Sequence, residues 1–335
     1  MTTLSNTAYQ ALHRHLRKVS KFEPGVLRDR DVDAIHQMRV GLRRLRTALE
    51  VFIPYLVLPK TITVRRVKDL SGVLSPVRDL DVMAETLKTD YYPALPQTEQ
   101  SQLSKLIKKI SKQREIFLDR AIQILRGDRY QKLQLGLQEW LAQPQYQPAG
   151  EISVSTVSPD LLLPLLSKVL LHPAWQIAVQ WITPQEPELI RVEQPGQLLQ
   201  HEGERLHDLR KQIKRLRYQM ELFTPLYSDS YAAQVQAWGE LQDLLGSMHD
   251  GVVLGQFFQR QLGLELRKSS PELAALISQQ QEEHWQAWRN VQVHYLTAPI
   301  RQELRHLILN PNLGNCFIAT PDTLSLEPAP QPVNA

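Results

Sequence analysis

HQMRVGLRRLRTALEVFIP (His36–Pro54) and HDLRKQIKRLRYQMELFTP (His207–Pro225) are the two stretches on which the reading of this chain turns. Aligned without a gap, eight of their nineteen pairs are identical: His36/His207, Arg39/Arg210, Arg44/Arg215, Leu45/Leu216, Arg46/Arg217, Glu50/Glu221, Phe52/Phe223 and Pro54/Pro225. Arg43/Lys214 keeps the charge. The offset of 171 residues continues downstream, where Leu70, Leu74 and Asp79 match Leu241, Leu245 and Asp250. One register held over two successive helices points to duplication of a helical unit.

On a helical wheel, Arg39, Arg43, Arg46 and Glu50 fall within about 80° of His36. Met38, Leu42, Leu45, Leu49 and Phe52 form an adjacent apolar stripe. The second copy repeats the arrangement, with His207, Arg210, Lys214, Arg217 and Glu221 beside Leu209, Ile213, Leu216, Met220 and Phe223. Each helix therefore carries a core face next to a cationic face. Spacing of i, i+3, i+7, i+10 gives a line of donors roughly 15 Å long. Like charges so placed repel one another and destabilise an isolated helix, so a duplicated line of them calls for an anion. The arginine fork donates two parallel hydrogen bonds to an oxyanion and stays charged. A row of forks suits a polymer with a charge at every repeat. The plainer alternative is a solvated face, or one matched by carboxylates within the fold.

The rest of the chain reads as helix too. Its 335 residues are rich in Leu, Gln, Arg, Glu and Ala and hold only 14 glycines, a mixture that favours helix over strand. Helical periodicity covers 8–22, 99–126, 129–142, 159–171, 201–223, 229–261, 271–296 and 299–309, and no segment shows strand alternation. The expected organisation is a first helical half, 5–142, a Pro/Gln/Ser/Gly-rich linker, 143–158, and a second half, 159–310. Residues 172–200 contain four prolines and have no counterpart in the first half, so they read as an insertion. The polar, proline-rich tail, 311–335, reads as disordered.

The net charge is only +4, from 39 basic and 35 acidic residues, so local pattern rather than overall balance carries the case for an anionic partner. A single cysteine, Cys316, allows no internal disulfide and fits a reducing compartment. The polar start lacks a signal-peptide core. The longest apolar run, Leu161–Leu171, is interrupted by Pro164, Ser167 and Lys168, and is too short to span a bilayer. A soluble, cytoplasmic protein without a membrane partner is expected.

The doubled His-x-x-Arg-x-x-x-basic-Arg-x-Arg pattern, with LSPVRDLDV (Leu74–Val82) after the first copy, resembles the CHAD family, the conserved histidine α-helical domain. The resemblance covers roughly 5–310. It implies an all-α fold of two helical bundles related by a pseudo-twofold axis, binding inorganic polyphosphate on a basic central surface, in some members on polyphosphate granules. Combining it with the residue pattern gives His36, Arg39, Arg43, Arg44, Arg46, His207, Arg210, Lys214, Arg215 and Arg217 as polyphosphate-binding candidates. Arg14, Lys18, Lys105, Lys108 and Lys112 are secondary candidates. There are departures. Ser75 stands where the family usually has glycine, which Gly246 keeps in the second copy. His249 replaces a polar or basic residue before Asp250. The second half lacks a counterpart to the Lys105, Lys108 and Lys112 stripe, so asymmetric binding is expected.

Two other functions compete with this one. His249-Asp250, with His201 and His207 upstream, is similar to the His-Asp pair of helical metal-dependent phosphohydrolases, but Arg78-Asp79 takes its place in the first copy and an arginine line disfavours a metal. No Glu-x-Glu-x-Lys signature of the triphosphate-hydrolysing domain attached to some family members is present. A nucleic-acid binder would make the same phosphate contacts, yet aromatic residues are sparse on the stripes and Tyr218 lies off them. The expectation is a binding protein with no catalytic residue, metal or cofactor. His36 and His207 are read equally as phosphate donors and as structural residues.

Overall fold

The computed structural model describes residues 2–28, 32–183, 186–262 and 266–311. In chain order these form α1 (Leu4–Arg28), α2 (Val32–Phe52), α3 (Val64–Thr86), α4 (Gln97–Leu125), α5 (Asp128–Ala142) and α6 (Val154–Leu170). A hairpin of β1 (Val179–Thr183) and β2 (Glu186–Leu189) follows. The chain then continues through α7 (Pro195–Phe223), α8 (Asp229–Leu262), a single turn α9 (Leu266–Ser269), α10 (Pro271–Leu296) and α11 (Ala298–Leu309). Cys316 and the tail, 312–335, lie outside the described residues.

The architecture is all-α, as the composition and the resemblance imply. The duplicated motif becomes α2 and the C-terminal two-thirds of α7. Each ends in one 3-10 turn, Ile53–Tyr55 or Thr224–Leu226, that begins with Pro54 or Pro225 near its start. Proline cannot donate the next helical hydrogen bond, so both helices stop at the same residue of the repeat. The apolar stripes Met38, Leu42, Leu45 and Leu49 and Leu209, Ile213, Leu216 and Met220 are all buried, in one core that takes in residues of both halves. Phe52 packs against its own counterpart, Phe223, edge to face with ring centroids 6.2 Å apart. A smaller cluster joins α3 and α4 to α8 and α10 through Leu80, Leu103, Ile110, Phe258 and Leu273.

Gly41 lets α1 lie close on α2, since a Cβ there would stand 2.9 Å from the Val19 Cγ2 atom and 3.2 Å from its backbone nitrogen.

The structure corrects several readings. The insertion holds a strand pair, with Val179 opposite Leu189. Most of β1 is exposed, so no hydrophobic alternation marked it. Its anchor comes from far along the chain. The buried Arg289 guanidinium donates to the carbonyls of Ile177 and Ile190, which flank the hairpin, and Gln292 donates to those of Trp175 and Ile177. The segment 143–158 is partly ordered helix, because α6 begins at Val154. Its earlier residues bridge to Leu56 and Thr3 through Tyr146 and Ser153. Finally, Val154–Gln176 is long and apolar enough to cross a membrane by composition, contrary to the expectation from the sequence. Here it packs into the core through Leu162, Leu166, Val169, Leu170 and Trp175.

Candidate anion-binding surface

The two cationic stripes meet. Lys214 on α7 lies within electrostatic reach of Arg39, Arg43 and Arg46 on α2 and of Arg210 on its own helix. Burial and these four arginines push its amine down to about 7. Glu221 ties the helices together. One carboxylate oxygen accepts from Arg44 at 2.9 Å, across the halves, and the other from Arg217 at 3.0 Å. The first copy repeats the intrahelical pair as Arg46–Glu50 at 3.3 Å. Arg39 approaches Asp79 of α3 at 3.5 Å.

Tyr218 sits at the centre of this crossing. Its hydroxyl accepts from Arg43 at 2.6 Å, and the Arg217 guanidinium lies 4.6 Å from its ring centre. The wheel position that takes it off the stripe of its own helix is where the neighbouring helix supplies Arg43. A wheel describes one helix and cannot show that. Arg78 of α3 was also missed as a site residue. It is among the charges that depress the His36 imidazole, after burial, and that act on Arg39.

The two halves treat their first arginine differently, and the Ser75/Gly246 departure explains it. Arg210 lies flat on α8 and its Nε donates to the Gln242 carbonyl at 3.1 Å. A Cβ on residue 246 would meet the Arg210 Nη2 and Nε atoms at 3.0 and 3.1 Å, so glycine makes the room. The residue equivalent to Gln242 is Ser71, and its carbonyl already accepts from the Ser75 hydroxyl at 2.9 Å. Arg39 turns instead to Asp79, which leaves its buried Nε without a hydrogen-bond partner. The buried Nε atoms of Arg44 and Arg217 are likewise without a hydrogen-bond partner, whereas that of Arg46 faces Glu50. Such orphaned donors cost about 1–3 kcal/mol each.

His207 faces His249 with ring centroids 4.6 Å apart. Burial first, then mutual repulsion and the neighbouring Arg210, hold the His207 imidazole below its ordinary value. His249 is lowered as well, by burial and Arg210 against the pull of Asp250. Asp250 in turn feels Asp79, so the paired aspartates of the repeat also approach one another. Asp208, next in sequence to His207, is held by His172 at 3.1 Å and Lys211 at 3.0 Å, which depress its carboxyl. His201 is exposed. Among the described residues no group of three or more His, Cys, Asp or Glu side chains is placed to hold a metal ion.

The remaining candidates lie apart. Arg215 is exposed, while its counterpart Arg44 is drawn between the helices. Arg14 and Lys18 of α1 gather around the buried His15 together with Arg44, and burial and these charges push that imidazole down to about 4. Lys105, Lys108 and Lys112 are exposed on α4 and are not among the main charges acting on Lys214 or Arg39.

The crystal structure of the CHAD domain from the plant Ricinus communis is similar to this chain at 25% identity, with a TM-score of 0.58 over 91% of this chain and 93% of that one. PptA from Streptomyces chartreusis shares the fold at 14% identity, with a TM-score of 0.50 over 91% of this chain and 100% of that one. No curated protein matches. The family model described as the CHAD domain matches residues 10–259, most of the two halves and both basic helices. The chain belongs to the CHAD family.

Proposed function

We propose that this protein binds inorganic polyphosphate along the surface shared by α2 and α7, without hydrolysing it. The observation that carries the reading is the convergence of both stripes on Lys214, where three arginines of one copy face a cation of the other. Such a concentration of positive charge is unfavourable unless an anion neutralises it. The carboxylates close to it, Glu50, Asp79, Glu221 and Asp250, are outnumbered by the surrounding cations. The unpartnered guanidinium nitrogens favour the same conclusion. A phosphate polymer offers a charge and free oxygens at each repeat and can lie along both rows at once.

Nucleic acid fits less well. Tyr218, at the crossing, is buried with Arg217 over its ring, so it offers no face for a base. Phosphoryl hydrolysis at His207 and His249 is disfavoured because Arg210 already acts on both rings and would oppose a metal cation. The proposed place of action is the cytoplasm, on polyphosphate granules.

Titration with polyphosphate of defined lengths, with ATP and duplex DNA as competitors, tests the reading. Affinity is expected to rise with chain length, and the competitors are expected to displace the polymer only weakly. Absence of binding, or equal displacement by DNA, would overturn it.

A further inference from the structure

We propose that Tyr218 is the positioning residue of this surface: it orients an arginine from each half, Arg43 by its hydroxyl and Arg217 by its ring, and so presents both to a polyanion in fixed geometry. The inference rests on the polyphosphate reading and adds to it the residue through which the two rows act together.

Tyr218 belongs to α7 and is 8% exposed, so packing fixes its ring. Arg43 reaches it from α2 and donates through Nη1 to the hydroxyl at 2.6 Å. The same guanidinium stands 5.4 Å from the ring centre. Arg217, the residue before Tyr218 in sequence, lies closer, at 4.6 Å. One ring therefore has guanidiniums from both copies within cation–π reach. Arg217 has further supports. Its Nη1 donates to Glu221 at 3.0 Å. It also lies along α8, where a Cβ on Gly239 would stand 3.7 Å from its Cδ and Nη1 atoms. Both arginines are half-buried, so each is held within the protein and still reaches solvent.

The other copy differs. The counterpart of Tyr218 is Thr47, which is buried and turns its hydroxyl to the Arg43 carbonyl of its own helix at 3.2 Å. A threonine thus fills this position of the repeat in one half, so the duplicated core does not by itself call for an aromatic ring there. Binding does. An arginine loses much rotamer freedom when a ligand fixes it, and a partner that holds it beforehand lowers that cost. A phenol suits the task because its oxygen accepts from a guanidinium, and its face attracts one, without cancelling the charge. A carboxylate in its place would compete with phosphate. Arg43 keeps its remaining N–H donors for phosphate oxygens.

Double-mutant cycles in the affinity for long-chain polyphosphate, measured by calorimetry, test the assignment. Tyr218→Phe keeps the ring and loses the hydroxyl. It should lower affinity about fivefold in the otherwise wild-type protein and leave it unchanged beside Arg43→Gln. Tyr218→Leu loses ring and hydroxyl. It should lower affinity about tenfold in the wild type, and beside Arg217→Gln by no more than Tyr218→Phe does. A tyrosine that serves packing alone would lower the melting temperature and leave both couplings at zero. No loss of affinity in Tyr218→Phe, or equal losses in the two backgrounds of either cycle, overturns the inference and leaves the polyphosphate reading intact. If Tyr218→Leu does not fold, the phenylalanine cycle decides. If the wild type does not bind polyphosphate, that reading falls and the same cycles with heparin decide the inference. If heparin does not bind either, both fall.

Discussion

Phe52 and Phe223 occupy the same position in the two copies of the motif, and their rings meet edge to face 6.2 Å apart. A residue can touch its own counterpart only on the axis that relates the copies. Asp79 lies within electrostatic reach of its own counterpart, Asp250. Across this contact, Arg39, Arg43 and Arg46 of one row lie within electrostatic reach of Lys214 of the other.

Each phenylalanine is fully buried, so Phe52→Ala and Phe223→Ala should each cost roughly 3–5 kcal/mol of stability. Because the rings share one packing site, the double variant should cost less than the sum. Urea denaturation of the four proteins measures this. Strict additivity would show that the rings are energetically independent.

Gly246→Ala should detach Arg210 from the Gln242 carbonyl, since the new methyl meets the guanidinium and not the backbone. Stability should change little, because alanine's helix propensity offsets the lost contact by about 1 kcal/mol. Polyphosphate affinity should fall several-fold. Ser75→Gly frees the Ser71 carbonyl for Arg39 and should do the reverse. Unchanged affinity in both variants would disprove this account of the glycine.

Charge reversal separates one shared site from two. Arg39→Glu with Arg43→Glu, and Arg210→Glu with Lys214→Glu, should each lower affinity by tenfold or more, about 1.4 kcal/mol, and leave stoichiometry unchanged. Arg126→Glu with Arg129→Glu, on the exposed α4–α5 turn, serves as the control. Halved stoichiometry with normal residual affinity would mean independent sites. Affinity of the wild type should also drop steeply with added salt, as counterions are released on binding.

Lys214→Met should raise the thermal stability of the free protein, because it removes a half-buried amine that four arginines repel. The sign with pH follows from the depressed amine. The lysine costs stability below its folded midpoint near 7, where it is charged in both states. That cost disappears above its unfolded range. The gain in melting temperature should therefore be larger at pH 6 than at pH 10, and a gain independent of pH would contradict it.

Purified protein should release no phosphate from polyphosphate, with or without added divalent cations. Metal-dependent release that is lost in His249→Ala would replace the binding reading with a hydrolytic one.

Much of this was legible in the sequence because periodicity and repetition are local properties. The register from His36 to Phe52 against His207 to Phe223 was enough to indicate two equivalent helices, their buried faces and their charged faces. What neighbouring elements contribute was not legible. Tyr218 became central only when Arg43 arrived from the other half. The hairpin left no alternating pattern because it stands mostly in solvent and depends on Arg289, about a hundred residues away. Ser75 was visible as a departure from glycine. Its effect, the capture of the Ser71 carbonyl, needed coordinates.

A contact between identical positions is the signature of an isologous interface, as in a homodimer. Joining two such units in one chain turns a concentration-dependent association into an intramolecular one. It also lifts a genetic constraint. In a homodimer every substitution appears on both sides of the axis, whereas in a fused pair it appears once. Thr47 could thus become Tyr218, and glycine and serine could divide between 246 and 75. The result holds one first arginine against a helix and leaves the other unanchored by the backbone. The two copies thus hold the same arginine by different means, a helix carbonyl for Arg210 and the Asp79 carboxylate for Arg39.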